Sequence, residues 1–144
     1  MPSIAEQICQ RVEAVLMGAT SAGLHVWRDR NDALTREESP AILIEALEES
    51  ISRSNIGGRL PGLRVEQATL VVLVTICVRS TAWQAVTDQV RIEAHRLLSA
   101  DPVLNGFEIA RQRCEWRSAS ADLPFGYASQ QYSFTYLSKA TDLA

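Results

Sequence analysis

The stretch Arg64–Arg79 constrains the fold more than any other, because apolar residues alternate through most of it. Ala68, Leu70, Val72, Val74, Ile76 and Val78 share one face at the period-2 repeat of a strand, and Thr69, Val71, Leu73, Thr75 and Cys77 share the other. The second face is too apolar to meet water alone, so the pattern predicts a central strand covered on both sides. Extended at about 3.3 Å per residue it would run roughly 50 Å, whereas a folded chain of this length is roughly 40 Å across. The strand must therefore bend or protrude. A protruding hairpin bares backbone edges that a neighbouring subunit is suited to cover; a bulge or strong twist is the alternative.

The flanking segments supply the rest of an α+β domain. Ser3 and Glu6 form a capping-box pattern, and Ile4, Ile8, Val12 and Val15 recur at helical spacing until Gly18. His25–Arg28 reads as a short strand, Asp29–Pro40 as a charged loop, Ala41–Leu47 as a second strand ending in Glu48 and Glu49, and Ser52–Gly62 as a mobile hairpin connection. Thr81 and Gln84 suggest a second capping box, and Trp83, Val86, Val90, Ala94 and Leu97 continue as an amphipathic helix that should stop before Pro102. Phe107–Arg117 and Tyr127–Leu137 read as two further strands, with Tyr132, Phe134 and Tyr136 on one face and a turn at Asp122–Gly126. The predicted order is α-β-β-β-α-β-β: one domain over residues 1–144, a mainly antiparallel sheet of about five strands with two helices packed on it.

Composition narrows the function classes. The chain has 144 residues, 47% of them hydrophobic and 22% charged, which permits a real core and argues against a long disordered tail. Its formal charge of -3 provides no global basic field for nucleic acid. Cys9, Cys77 and Cys114 are odd in number, far apart and in apolar surroundings, so they read as buried thiols in a reducing compartment. Met1–Ile8 shows no basic stretch leading into an apolar run, and Leu70–Val74 is too short to span a bilayer as a helix, so cytosolic folding without a membrane partner is expected.

Catalytic patterns are missing. His25 and His95 have no Cys or carboxylate at metal-ligand spacing, and read as a strand histidine and a surface helix histidine. No nucleophile elbow, phosphate loop or dinucleotide fingerprint occurs, and Gly57-Gly58 lacks the strand-to-helix setting such loops need. Glu37-Glu38 and Glu48-Glu49 offer hard oxygen ligands only if folding brings them together; solvated carboxylates are the simpler reading. Neither a cofactor nor a catalytic role is expected. Arg111, Arg113 and Arg117 share one parity and would present a basic stripe, interrupted by Glu115.

The segment Val26-Trp27-Arg28-Asp29-Arg30, followed by Asp32-Ala33-Leu34-Thr35-Arg36-Glu37-Glu38-Ser39-Pro40-Ala41-Ile42, resembles the minor tail proteins of siphophages that act as tail terminators. The helix end Leu97-Leu98-Ser99-Ala100 with the turn Asp101-Pro102-Val103-Leu104-Asn105-Gly106, and the aromatic strand Tyr132–Tyr136, are similar to that family too. The resemblance implies a hexameric ring of copies that caps the tail tube, stops its growth and offers a surface to the head-tail connector. It implies, as contact residues, the matched loop with Arg28, Arg30, Asp32, Arg36, Glu37 and Glu38, and a virion tail assembled in the host cytoplasm. In such a ring the arginine stripe would at most touch DNA in the lumen without sequence preference. Two other classes are weighed beside it: a small-molecule-binding accessory domain with a pocket lined by Trp83, Trp116 and Tyr132, and a hydrolase using Glu37, Glu38 or His25.

Overall fold

The computed structural model describes residues 1–30, 32, 34–53, 65–119 and 125–139. The elements are α1 (Ile4–Leu16), β1 (Val26–Arg28), β2 (Ala41–Arg53), β3 (Val65–Val78), α2 (Trp83–Ala100), the short α3 (Pro102–Asn105), β4 (Ala110–Ala119) and β5 (Phe125–Lys139), with a 3-10 turn at Arg36–Glu38. One five-stranded sheet runs in the order β1-β2-β3-β5-β4, so the alternating stretch is its central strand, as the pattern predicts. The expected α+β architecture holds. The sheet is mixed, however: β1 pairs with β2 in parallel through Val26–Ile42, Trp27–Leu43 and Arg28–Ile44, and the remaining pairs are antiparallel.

The core lies on one face of the sheet. Ile8, Cys9, Val12 and Leu16 of α1 and Val90, Ala94 and Leu98 of α2 meet the even-numbered residues of β3 and the matching row Tyr132, Phe134 and Tyr136 of β5. Both helices bury a stripe at spacings of three and four, which the 3.6-residue repeat requires. No helix covers the opposite, open face among the described residues. There Leu34, Ala41 and Cys77, with Trp27, Leu43, Phe125 and Tyr127, form a small cluster at one end. Shielding of the open face extends past that cluster, since Val71 and Ser133 beside it are buried and Thr69, Leu73 and Thr75 are half-buried, so β3 is covered on both faces as expected, although only one face carries the helices.

Strand pairing divides the sheet along its length. β1 reaches β2 only as far as Ile44, and β4 meets β5 only from Ala110–Ser133 onward. Five strands therefore stand side by side in a broad body, and three continue beyond it as a blade made of Glu48–Arg53, Val65–Val71 and Ser133–Lys139. Two bulges sit at the junction, in one row of paired residues: Ala46, Val72, Tyr132 and Arg111 lie side by side, and the register shifts immediately after Ala46 and after Arg111. β2 is accordingly six residues longer than the predicted Ala41–Leu47, and it carries Ser52 and Arg53, expected in the connection. Residues 54–62 of that connection, and residues 122–124 of the predicted Asp122–Gly126 turn, lie outside the described residues; Phe125 and Gly126 belong to β5.

Local starts and stops follow identifiable causes. Ser3 accepts a hydrogen bond from the Glu6 backbone N–H at 3.2 Å, the first half of the predicted capping box. The second half is absent because the Glu6 carboxylate is taken by Arg28. Gly18 ends this region at φ +71, a backbone setting in which glycine meets no Cβ penalty. The Thr81 cap is not formed; Ala82 occupies the cap position of α2 with no side-chain bond, and Ser80 instead accepts from the Ala82 N–H at 3.1 Å. α2 ends at Ala100, and Asp101 takes the extended backbone that a residue before proline favours. β4 begins at Ala110 rather than Phe107, because Phe107 and Glu108 still bond back to Leu104 and Asn105 of α3.

With its cap unmade, the start of α2 is held by packing. The Trp83 ring lies so close to Gly126 of β5 that a Cβ there would sit 2.0 Å from Trp83 Cδ2. Gly126→Ala is expected to destabilise the fold by about 1–3 kcal/mol, the range for overpacking, or to push the indole outward. Urea unfolding together with a red shift of tryptophan emission reads either result; unchanged stability and emission would show that the contact is slack.

Candidate functional site

The charged loop after β1 is a closed electrostatic unit. Arg28 reaches back to α1 and donates to both Glu6 oxygens at 2.6 and 2.9 Å. Arg30 donates to both oxygens of Glu38 at 2.6 and 2.9 Å, also contacts Asp32 at 3.3 Å, and lies over the Trp27 ring at 4.4 Å from its centroid. A planar guanidinium suits this combination of paired carboxylate bonds and ring stacking. Glu38 also accepts from the Thr35 N–H at 2.9 Å. The structure thus brings Arg30, Asp32 and Glu38 together and directs Arg28 elsewhere. Arg36 and Glu37 lie in the 3-10 turn, with Glu37 exposed.

These bonds hold the carboxylates ionised. Hydrogen bonds from Arg30, and then from the Thr35 backbone, pull the Glu38 carboxyl down to about 2, and the Arg28 bond pulls Glu6 below the usual glutamate range. Arg11 of α1 clamps Asp101 in the same way, at 3.1 and 2.6 Å across 90 residues of chain, and depresses its carboxyl. Asp101 meanwhile caps α3 by accepting from the Leu104 N–H at 3.1 Å. No sequence signal marks that pair, because its partners meet only through the fold.

Polar groups beneath the helices fill space or pair internally. The buried Tyr132 hydroxyl shares a hydrogen bond of 3.0 Å with His95 Nδ1. Burial pushes the Tyr132 hydroxyl up to about 12, while burial, together with Arg111 and Arg91, holds the His95 imidazole below its usual value. At neutral pH the bond therefore joins a neutral phenol and a neutral ring, either of which can supply the hydrogen. His95 is a half-buried core partner and not the surface histidine of the sequence reading. His25 stacks on Trp27 with ring centroids 5.5 Å apart, just before β1. Trp83 and Trp116 are tilted rings 6.4 Å apart, and Arg91 lies over Trp116; with Trp83 against Gly126 and Tyr132 buried, these three aromatics do not surround a cavity. A cleft of about 200 Å³ lies elsewhere, lined by Asp29, Arg30, Leu43, Ile44, Glu45 and Thr75.

The arginine stripe is corrected by the bulge in β4. Arg113 pairs with Gln131 and Arg117 with Tyr127 on the open face, whereas Arg111 pairs with Tyr132 on the helix face. An unpaired residue, Gln112, between Arg111 and Arg113 breaks the alternation. Glu115 sits between the two open-face arginines, bonded to Arg113 and 3.9 Å from Arg117. Cys9 and Cys77 are buried thiols, but Cys114 is only half-buried. Among the described residues no three His, Cys, Asp or Glu side chains gather to hold a metal ion; Glu48 and Glu49 face opposite sides of the sheet, and the Tyr136 hydroxyl donates to Glu49.

Sequence reasoning missed the exposed flank of β2, because it ended that strand at Leu47. Every residue from Glu45 to Ser52 is exposed, including Leu47 at 46% and Ile51 at 51%. The alternation Glu49, Ile51, Arg53 was the signal available. Fold and surface together define an α+β sheet protein with helices on one face, an open second face and two long exposed strand edges. Neither a protein-family model nor a curated protein matches the chain.

A pH consequence follows from the clamped carboxylates. Their folded pKa values are depressed, so the stability they contribute is complete above the unfolded value and is lost as pH falls through the folded one. Thermal unfolding at stepped pH should show a plateau above the ordinary glutamate value of 4.5 and a decline towards about 2. Glu38→Gln should flatten part of that decline; an identical profile would remove the Arg30 clamp from the explanation. Asp101→Ala should cost about 1 kcal/mol through its lost cap alone, and Asp101→Asn, which keeps an acceptor, less.

Proposed function

We propose that this chain is a structural assembly subunit of a phage or prophage tail: copies form a ring that caps the tail tube, stops its growth and provides the surface for head joining. The assembly part of this reading is carried by one observation, the run of residues 45–52 in β2, exposed throughout with Leu47 and Ile51 on it, together with the exposed Leu137 of β5. Strand edges and apolar side chains left in water favour a protein partner. The tail part is supported by the resemblance of residues 26–42 and 97–106 to tail terminators.

The matched loop takes a different role from the one its charges first suggest. Arg28 and Arg30 spend their bonds on Glu6 and Glu38, so they shape the loop and anchor it to α1, while the exposed Asp32 and Glu37 remain for contact with a neighbour or the tube protein. Complementary charges at such positions set register and partner choice more than affinity. Any contact with DNA in the lumen falls to Arg113 and Arg117, which Glu115 partly neutralises, and is without sequence preference.

Deletion of the gene tests this reading directly. Tails of irregular, overlong length and heads left unjoined are the expected result, seen by electron microscopy of lysates. Tails of normal length that join heads normally would overturn it.

A further inference from the structure

The sheet ends in two unlike edges. β1 shields β2 only through Ile44, so from Glu45 to Arg53 alternate backbone N–H and C=O groups of β2 point away from β3, with no strand beyond them among the described residues. At the other end, β4 presents a second edge from Ala110 to Ala119 with no strand beyond it among the described residues. At about 3.3 Å per residue the two edges are each roughly 30 Å long.

Their charges are opposite. The β2 edge carries Glu45, Glu48 and Glu49 against the single Arg53 at its end, whereas the β4 edge carries Arg111, Arg113 and Arg117 against the single Glu115. Charges and bulges on edge strands commonly serve to keep sheets apart. Edges meant only to repel need not differ in sign, and they need not expose Leu47 and Ile51 on one side and Trp116, at 38%, on the other. Aromatic, aliphatic and arginine side chains are instead what interface centres gather.

We infer that the acidic β2 edge of one copy receives the basic β4 edge of the next, in a head-to-tail contact between copies of this chain. Like edges repel, so a two-fold dimer through either edge is disfavoured, and repetition of an unlike contact gives a ring or a filament. The cleft lined by Asp29, Arg30, Leu43, Ile44, Glu45 and Thr75 lies where β1 leaves the β2 edge. Because the acidic edge lies mainly on the blade and the basic edge on the body, each blade lies beside its neighbour's body. The inference rests on the proposed function for ring closure and not for the pairing itself.

Charge reversal at each edge of the full chain tests it. Glu45→Lys with Glu48→Lys makes both edges basic, and Arg113→Glu with Arg117→Glu makes both acidic. Sedimentation over a wide concentration range, at low and high salt, should show salt-sensitive association of the unaltered protein, weakened at least about tenfold in either double variant. An equimolar mixture of the two variants should associate again, as should the quadruple variant alone, and circular dichroism checks that all are folded. A protein monomeric at every concentration, or a mixture and quadruple variant that both stay dissociated, would overturn the pairing. Association that either double variant retains would overturn it equally. Restored association into open filaments would keep the pairing and reject the ring, and normal tails after gene deletion would reject the tail role alone.

Discussion

Sheet and helices in this protein differ in length, and most of its surface follows from that mismatch. β3 has 14 residues and β5 has 15, so each runs roughly 45–50 Å at about 3.3 Å per residue. α1 with 13 residues and α2 with 18 span only about 20 and 27 Å at 1.5 Å per residue. A helical layer of that size cannot cover the whole sheet. The helices bury the part they reach, down to Val72 and Tyr132, and the Phe107 segment extends the cover to Phe134 and Tyr136, where Phe107 meets the Tyr136 ring edge-on. Beyond that the strands pair with one another and face water.

Paired charges fix how the layer sits on the sheet. Arg28 ties β1 to α1 through Glu6, Arg11 ties α1 to the α3 cap through Asp101, and Ser21 bonds Glu93 of α2 through both its N–H and its hydroxyl. Each bond joins segments far apart in the chain, and each is partly exposed, so its value lies in setting geometry more than in raw stability. The interior is less well satisfied. Thr87 Oγ1 and both amide atoms of Gln130 are buried without a hydrogen-bond partner among the described residues, on facing sides of the α2–β5 contact. Such groups cost stability, and they mark the place where this core is least tightly specified.

The strands were legible in the sequence wherever periodicity ran long. The stretch Arg64–Arg79 placed the central strand to within a residue at each end, and the spacing of Ile8 and Val12 placed α1. Three features escaped that reading for a physical reason in each case. The parallel pairing of β1 depends on where a loop returns, which no local pattern encodes. The cap of α2 was misread because Trp83 on Gly126, a contact 43 residues distant, replaces the local bond. The arginine stripe failed because parity counting assumes an unbroken ladder, and Gln112 breaks it. The charged loop was found, yet its internal pairing could be seen only once Glu6, Trp27 and Glu38 were in place.

The shared row of bulges at Ala46, Val72, Tyr132 and Arg111 has a mechanical meaning. Strands lie about 4.8 Å apart, so around this row the sheet narrows from five strands, roughly 24 Å, at Ile44 to three, roughly 14 Å, beyond Ser133. A load on the blade tip is carried by three strands up to this row and by five, with their helices, beyond it. Compliance is therefore concentrated in one line across the sheet, and the blade can tilt to meet a surface while the packed body keeps its shape.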